Sequence, residues 1–113
     1  MSKRILRINR LIRRELSQIL LKEVEFPSGV LVTITRVETS PDLRGAKVHI
    51  SCMPEDQTAR AFQILNRLLY TLQQRLNSRL KMRPVPKIKF IKELKTREAG
   101  RIEELLEKIK RRD

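Results

Sequence analysis

The sequence predicts an α+β domain in which helices pack on one face of a three-stranded sheet. Three segments carry apolar residues at spacings of three and four, the period of an amphipathic helix. Three others alternate with a period of two and are rich in β-branched residues, which is typical of strands. Their order along the 113 residues is helix, strand, strand, helix, strand, helix. A chain of this length holds one modest core, so we expect a single domain over residues 1–113.

The first predicted helix covers residues 4–24 and has two different faces. Its apolar residues recur at spacings of three and four from Ile5 to Ile19. At about 100° per residue, four cations fall on the opposite side of this helix. They are Lys3, Arg7, Arg10 and Arg14. The helix therefore has a core face and a basic face, and it ends before Pro27 because a proline disfavours helical geometry in the residue before it.

Two strands joined by a turn are predicted next. Residues 30–39 and 46–52 alternate between apolar and polar or short side chains, and residues 40–45 are turn-forming. Two strands with so short a connection predict an antiparallel hairpin. In the second strand Lys47 and His49 fall on the face opposite the apolar residues, which favours an open face for both.

A long second helical region follows the hairpin, with Asp56 as a candidate cap. An apolar stripe from Phe62 to Leu80 predicts that this helix is the central packing element. Its most polar stretch, residues 71–78, is the place where a bend could occur. Pro84 terminates the helix.

A third strand and a last helix complete the predicted fold. Residues 87–93 alternate so that Lys87 and Lys89 point away from the apolar side. Residues 96–113 carry an apolar stripe at helical spacing and predict a C-terminal helical extension.

The charge is distributed in blocks of one sign. Residues 57–92 hold nine Lys or Arg and no acid, and residues 1–14 hold six Lys or Arg and no acid. The net charge is +13. Unipolar blocks on well-patterned segments indicate a surface that meets a polyanion. Because the chain has only four aromatic residues, RNA contact should depend on phosphates and shape rather than on base stacking.

Three groups of cations are candidate RNA contacts, and each has a plainer alternative. The basic face of the first helix could be an ordinary solvated face. A second group lies at the end of the central helix and could instead cap helix carbonyls. It consists of Arg75, Arg79, Lys81 and Arg83. On the sheet, Lys87 and Lys89 could bind RNA beside Lys47 and His49, or could belong to a solvated face that guards an edge strand.

Catalysis, metals and membranes are not predicted. The single cysteine, Cys52, excludes an internal disulfide and indicates a reducing, cytoplasmic compartment, where it is expected to be a buried small hydrophobe. With one histidine, no glycine-rich phosphate loop and no nucleophile motif, we predict a non-enzyme without cofactor, metal or small-molecule substrate. Binding to anionic membranes is a weaker alternative, because the first helix has no exposed Trp or Phe and its apolar stripe is needed by the core.

The element order is that of a type II KH-like domain with a C-terminal helix, and the residues resemble the ribosome-binding factor A family. The most specific likeness is VTITRVETSPDLRGAKVHIS at residues 32–51. Further matches are RELSQIL at 14–20, RPVP at 83–86 and GRIEELL at 100–106. The order of these motifs is that of the family, and together they extend over nearly the whole chain.

The chain departs from the family at several points, among them Leu94 and Lys95 where Asp is common after the third strand. Phe26 stands where the family usually has Asp, and Leu68-Leu69-Tyr70 replaces the Ala-x-Gly that often marks a bend in the central helix. No Gly-x-x-Gly loop of the ordinary KH type is present, because the only glycines are Gly29, Gly45 and Gly100. Any kink must therefore arise without glycine, and any RNA contact must use side chains.

The resemblance implies a monomeric ribosome assembly factor. Its partners would be 16S rRNA and free 30S ribosomal subunits during late maturation, and it would promote processing of the rRNA 5′ end. The alternative is a basic structural protein of the ribosome, or a general KH-type RNA-binding protein, since either would share the size and charge.

Overall fold

The structure, a computed structural model, describes residues 2–94. Its elements are α1 (Lys3–Glu23), β1 (Leu31–Thr39), β2 (Gly45–Met53), α2 (Thr58–Arg67), α3 (Leu69–Arg79) and β3 (Lys87–Lys92), with a short 3-10 turn at Glu55–Gln57. The C-terminal helix expected at 96–113 lies outside the described residues. All other expected elements are present.

The three strands form one sheet in the order β1-β2-β3. β1 and β2 are antiparallel, which confirms the predicted hairpin, and β2 and β3 are parallel. A parallel pair needs a crossover connection, and α2 and α3 supply it. The predicted α+β, KH-like architecture is confirmed.

The core lies between the helices and one face of the sheet. Ile12 and Leu16 of α1, Ile50 of β2, and Leu72 and Leu76 of α3 have no exposed side-chain surface. These positions are the apolar stripes and the inward strand positions that the sequence pattern predicts. Within residues 2–94 all the helices pack on this face, and this part of the chain leaves the opposite face of the sheet open to solvent.

The central helix breaks at Leu68 and not within residues 71–78. Leu68 has φ −97° and ψ 6°, and this one residue separates α2 from α3. Any L residue can adopt these angles, so the break needs no glycine. Asp56 is likewise not a cap, because it lies in the 3-10 turn and no side chain caps the start of α2.

A β-bulge at Thr35 reverses which side chains in the later part of β1 face the core. The register passes from Ile34 opposite Ile50 to Arg36 opposite His49, which leaves Thr35 as the additional residue. After the bulge, Val37 is buried and Glu38 is turned toward the open face of the sheet. The bulge therefore places two charged side chains of β1 beside His49.

Candidate nucleic-acid interface

The basic face of α1 is exposed along its whole length. Ser2 caps the helix by accepting a hydrogen bond from the backbone N–H of Ile5 at 3.1 Å. The four predicted cations all lie on the solvent side, opposite the buried stripe. They are Lys3, Arg7, Arg10 and Arg14. Within residues 2–94, Arg14 is the one of these four with an acidic partner, Glu15 at 3.1 Å, and because Arg14 remains 68% exposed this pair holds it weakly.

Two arginines of the second predicted cluster connect α3 to α1. Arg79 donates to the side-chain oxygen of Gln18 at 3.0 Å and lies 3.6 Å from the carboxylate of Glu15. Arg75 pairs with Glu23 at 3.0 Å. Arg79 is only 26% exposed, whereas Arg75 is 58% exposed. Both side chains therefore have a structural role, and Arg75 retains much of its surface for another partner.

The remaining two cations of this cluster differ from each other. Arg83 donates to the carbonyl oxygens of Leu80 and Met82 at 2.6 Å each, so it caps the end of α3. Lys81 is exposed, and no ion pair involves it within residues 2–94. The capping alternative therefore describes Arg83, while Lys81 is free to meet an anion.

Packing of α3 against α1 brings part of each cluster into one groove, whose lining does not include Arg10, Arg75 or Arg83. The groove has a volume of about 610 Å³ and lies between α1 and the exit of α3. Its cationic lining consists of Lys3, Arg4, Arg7, Arg14, Arg79 and Lys81. Among the described residues of its wall Glu15 is the one acid, and Arg79 and Arg14 already pair with it. We call this surface the basic groove.

Arg4 is a groove residue that the sequence analysis missed. It lies about 100° from Lys3 around the helix, which places it between the basic face and the core face. α3 packs against that flank of α1, so Arg4 faces Lys81 and Met82 across the groove. Its position within the basic block of residues 1–14 was the available signal. Arg10, in contrast, lies on the exposed face beyond the groove lining.

The open face of the sheet carries a separate group of lysines. Lys47 of β2 is directly opposite Lys89 of β3, and Lys87 is opposite Gly45 at the neighbouring position on this face. All three lysines are exposed. The prediction that Lys87 and Lys89 point outward is confirmed, and they share this face with Lys47. We call these three residues the sheet lysines.

His49 does not belong to that exposed group. Its side chain is 9% exposed, and Nε2 lies 2.6 Å from Glu38. Glu93 accepts hydrogen bonds from Arg36 and from the Thr35 hydroxyl, each at 2.8 Å. The hydrogen bond from Arg36 is the main reason that the pKa of Glu93 lies below its usual value, and the same contact raises the pKa of Arg36. The expectation of an open His49 was therefore wrong.

The arrangement is suited to phosphate contact by side chains. Tyr70 is the only well-exposed aromatic side chain in residues 2–94, at 76%, so no stacking platform exists there. Cys52 is buried, as expected. In the same part of the chain no cluster of acidic, His or Cys side chains could hold a metal ion, and no helix is both long and apolar enough to cross a bilayer.

Together, the sheet order, the broken central helix and the basic groove define a KH-like α+β domain with a cationic surface. The family model for ribosome-binding factor A matches residues 4–106, and the chain belongs to that family. A ribosome-binding factor A from Thermodesulfovibrio yellowstonii is 32% identical over 109 residues, covering 96% of this chain and 92% of the relative.

Solved structures agree with the fold. The crystal structure of ribosome-binding factor A from Thermus thermophilus aligns with a TM-score of 0.67 at 24% identity, over 78% of this chain and 93% of that one. A Thermus thermophilus ribosome-binding factor A model fitted into the cryo-EM map of a complex with the 30S subunit aligns with a TM-score of 0.60 at 26% identity. It covers 74% of this chain and 88% of that chain.

Proposed function

We propose that the protein is an assembly factor that binds free 30S subunits and 16S rRNA during late maturation and promotes processing of the rRNA 5′ end. The basic groove between α1 and α3 is the observation that carries this proposal. The Thermus thermophilus relative fitted into a 30S complex supports it. The protein acts by binding, as a cytoplasmic monomer, without cofactor, small-molecule substrate or membrane.

The cations divide by role in this proposal. The α1 face and Lys81 contact phosphates directly, because these side chains are exposed and at most weakly paired. Arg75, Arg79 and Arg83 contribute positive potential while they hold α3 and its exit in place. Lys87 and Lys89 act on the other side of the sheet. Such contacts position a protein on folded RNA but carry little sequence information.

The preference should therefore be for folded RNA. The chain has no glycine between Gly45 and Gly100, so it lacks the loop that would let its backbone approach single nucleotides closely. Cations held at fixed intervals by a helix match the regular spacing of phosphates along an RNA duplex better than they match a flexible single strand. We expect a structured fragment of 16S rRNA to bind more tightly than single-stranded oligomers of the same length.

The test is charge reversal on α1. The R7E/R10E/R14E variant should lose affinity for immature 30S subunits, and its log–log salt slope should fall by about 2.7, that is about 0.9 for each phosphate. Thermal unfolding should change little, because the three side chains lie away from the core. The matched control is K22E/R60E/R67E, which changes the net charge equally at exposed positions outside the groove lining.

Unchanged affinity of the α1 variant at about 0.15 M salt would refute the groove as the RNA site. The processing role is tested in cells by mapping 16S rRNA 5′ ends. Loss of the protein should lengthen them, and the α1 variant should fail to restore them. Stoichiometric recovery in mature ribosomes, instead of substoichiometric recovery on free 30S subunits, would indicate a structural ribosomal protein.

A further inference from the structure

The sheet lysines form a second cationic surface, on β2 and on the edge strand β3. Lys47 and Lys89 are directly opposite each other on neighbouring strands, and like charges in that position destabilise a sheet. Neither they nor Lys87 has an acidic partner within residues 2–94. Glu38, the residue opposite Lys47 on β1, binds His49 at 2.6 Å and Arg36 at 3.3 Å instead.

These lysines line a concave surface at the end of the sheet. It has a volume of about 940 Å³, and its rim includes Pro41 of the hairpin and Ser2 at the start of α1. Three exposed cations around one concave surface are suited to an RNA backbone, whose phosphates offer anionic oxygens.

The sheet lysines and the basic face of α1 point to opposite sides of a two-layer fold, and the concave surface and the groove approach each other at the start of α1, where Ser2 borders one and Lys3 the other. Ile88 and Phe90 of β3 point inward against the helices, so Lys87 and Lys89 point outward. The basic face of α1 points away from the sheet, because its other face packs into the core. A stiff RNA duplex cannot bend sharply enough to contact both sides of one small domain.

We propose that the protein holds two RNA segments at once, one in the basic groove and a second on the sheet lysines, and so bridges separate helices of a folding RNA. This inference rests on the proposed RNA-binding function and goes beyond it. Bridging two helices would stabilise their relative placement without reading their sequence.

The test uses two different RNA duplexes and the full chain. One duplex is fixed to beads, and capture of a second, fluorescent duplex is measured as protein is added. Wild type should capture the second duplex. That capture should weaken about 40-fold between about 0.05 and 0.2 M salt, which corresponds to three phosphates on the sheet side. The K47E/K87E/K89E variant should capture at least about tenfold less while the basic groove keeps it on the bead-bound duplex.

Two controls are needed. The first tests whether the loss of capture is only an effect of net charge, and the second tests whether one protein molecule or a pair of molecules forms the bridge. The K22E/R60E/R67E variant carries the same charge change and should capture the second duplex to within about threefold of wild type. A mixture of the sheet variant with R7E/R10E/R14E should not restore capture, because each molecule lacks one of the two surfaces. Circular dichroism verifies that each variant is folded.

Each outcome decides the proposal. Restored capture by the mixture would show that two protein copies form the bridge, and equal loss in the control would show that only net charge matters; either result overturns the proposal. Wild type that binds one duplex but captures no second duplex overturns this inference alone. Wild type that binds neither duplexes nor immature 30S subunits overturns the proposed function itself.

Discussion

Arg79 should affect stability more than its neighbour Lys81, although both line the basic groove. Arg79 reaches from α3 to Gln18 at 3.0 Å and Glu15 at 3.6 Å on α1, and it is 26% exposed. Lys81 is exposed and has no such contact within residues 2–94. Truncating Arg79 to Ala therefore removes a connection between two helices, whereas truncating Lys81 removes only a surface charge.

The magnitude follows from these contacts. A hydrogen bond to a charged group contributes about 1.5–3 kcal/mol, and partial exposure places Arg79 at the lower end, so R79A should cost about 1–2 kcal/mol. For a domain of this size such a loss lowers Tm by roughly 5–10 °C. K81A should change the stability by less than about 0.5 kcal/mol. It should still reduce the salt slope of RNA binding by about 0.9.

Thermal unfolding followed by circular dichroism measures the first effect, and RNA binding across a salt series measures the second. R79K is the matched variant, because lysine keeps the charge but cannot reproduce the fork geometry of the guanidinium. It should keep the salt slope of wild type and recover only part of the Tm that R79A loses. If R79A and K81A have the same Tm, the contacts to α1 do not stabilise the fold, and the division of roles within the groove is wrong.

Three further outcomes follow from the fold. L76A should cost about 2–5 kcal/mol in chemical denaturation, because Leu76 is wholly buried in the core. S2A should cost about 0.5–2 kcal/mol through loss of the bond from the Ile5 N–H, and an unchanged Tm would show that the cap is dispensable. Arg36 lowers the pKa of Glu93 below 4.5, so the stability that this carboxylate adds is present above that pH and is lost as the pH falls through the lower folded value. E93Q should therefore unfold more easily than wild type at about pH 6–7, and the difference should shrink in acid; a constant difference would contradict the assignment.

Several local features could be predicted from the sequence because they depend on periodicity alone. A helix of period 3.6 places Arg7, Arg10 and Arg14 on one side and Leu16 on the other, whatever the helix packs against. The outward direction of Lys87 and Lys89 likewise follows from the pleat of a strand. Turn-forming residues between two strands predicted the hairpin.

Other features depend on contacts between residues far apart in the chain. The bulge at Thr35 inverts the later part of β1, and this inversion, together with Glu93 following β3, buries His49. The alternation of apolar and polar residues within β2 indicates neither the bulge in β1 nor the contact with Glu93. The break at Leu68 is similarly hidden, because an apolar residue in an apolar stripe gives no local signal.

The sequence alone determined which side of its helix or strand each cation occupies, since helical and strand periods act over a few positions. It therefore also determined that there are two basic surfaces. That the α1 face and Lys81 share one groove emerged from the packing, because the angle at which α3 meets α1 brings together residues from opposite ends of the described chain. The same packing gave Arg75 and Arg79 their partners on α1, since the partner of a cation depends on what lies beside it in space.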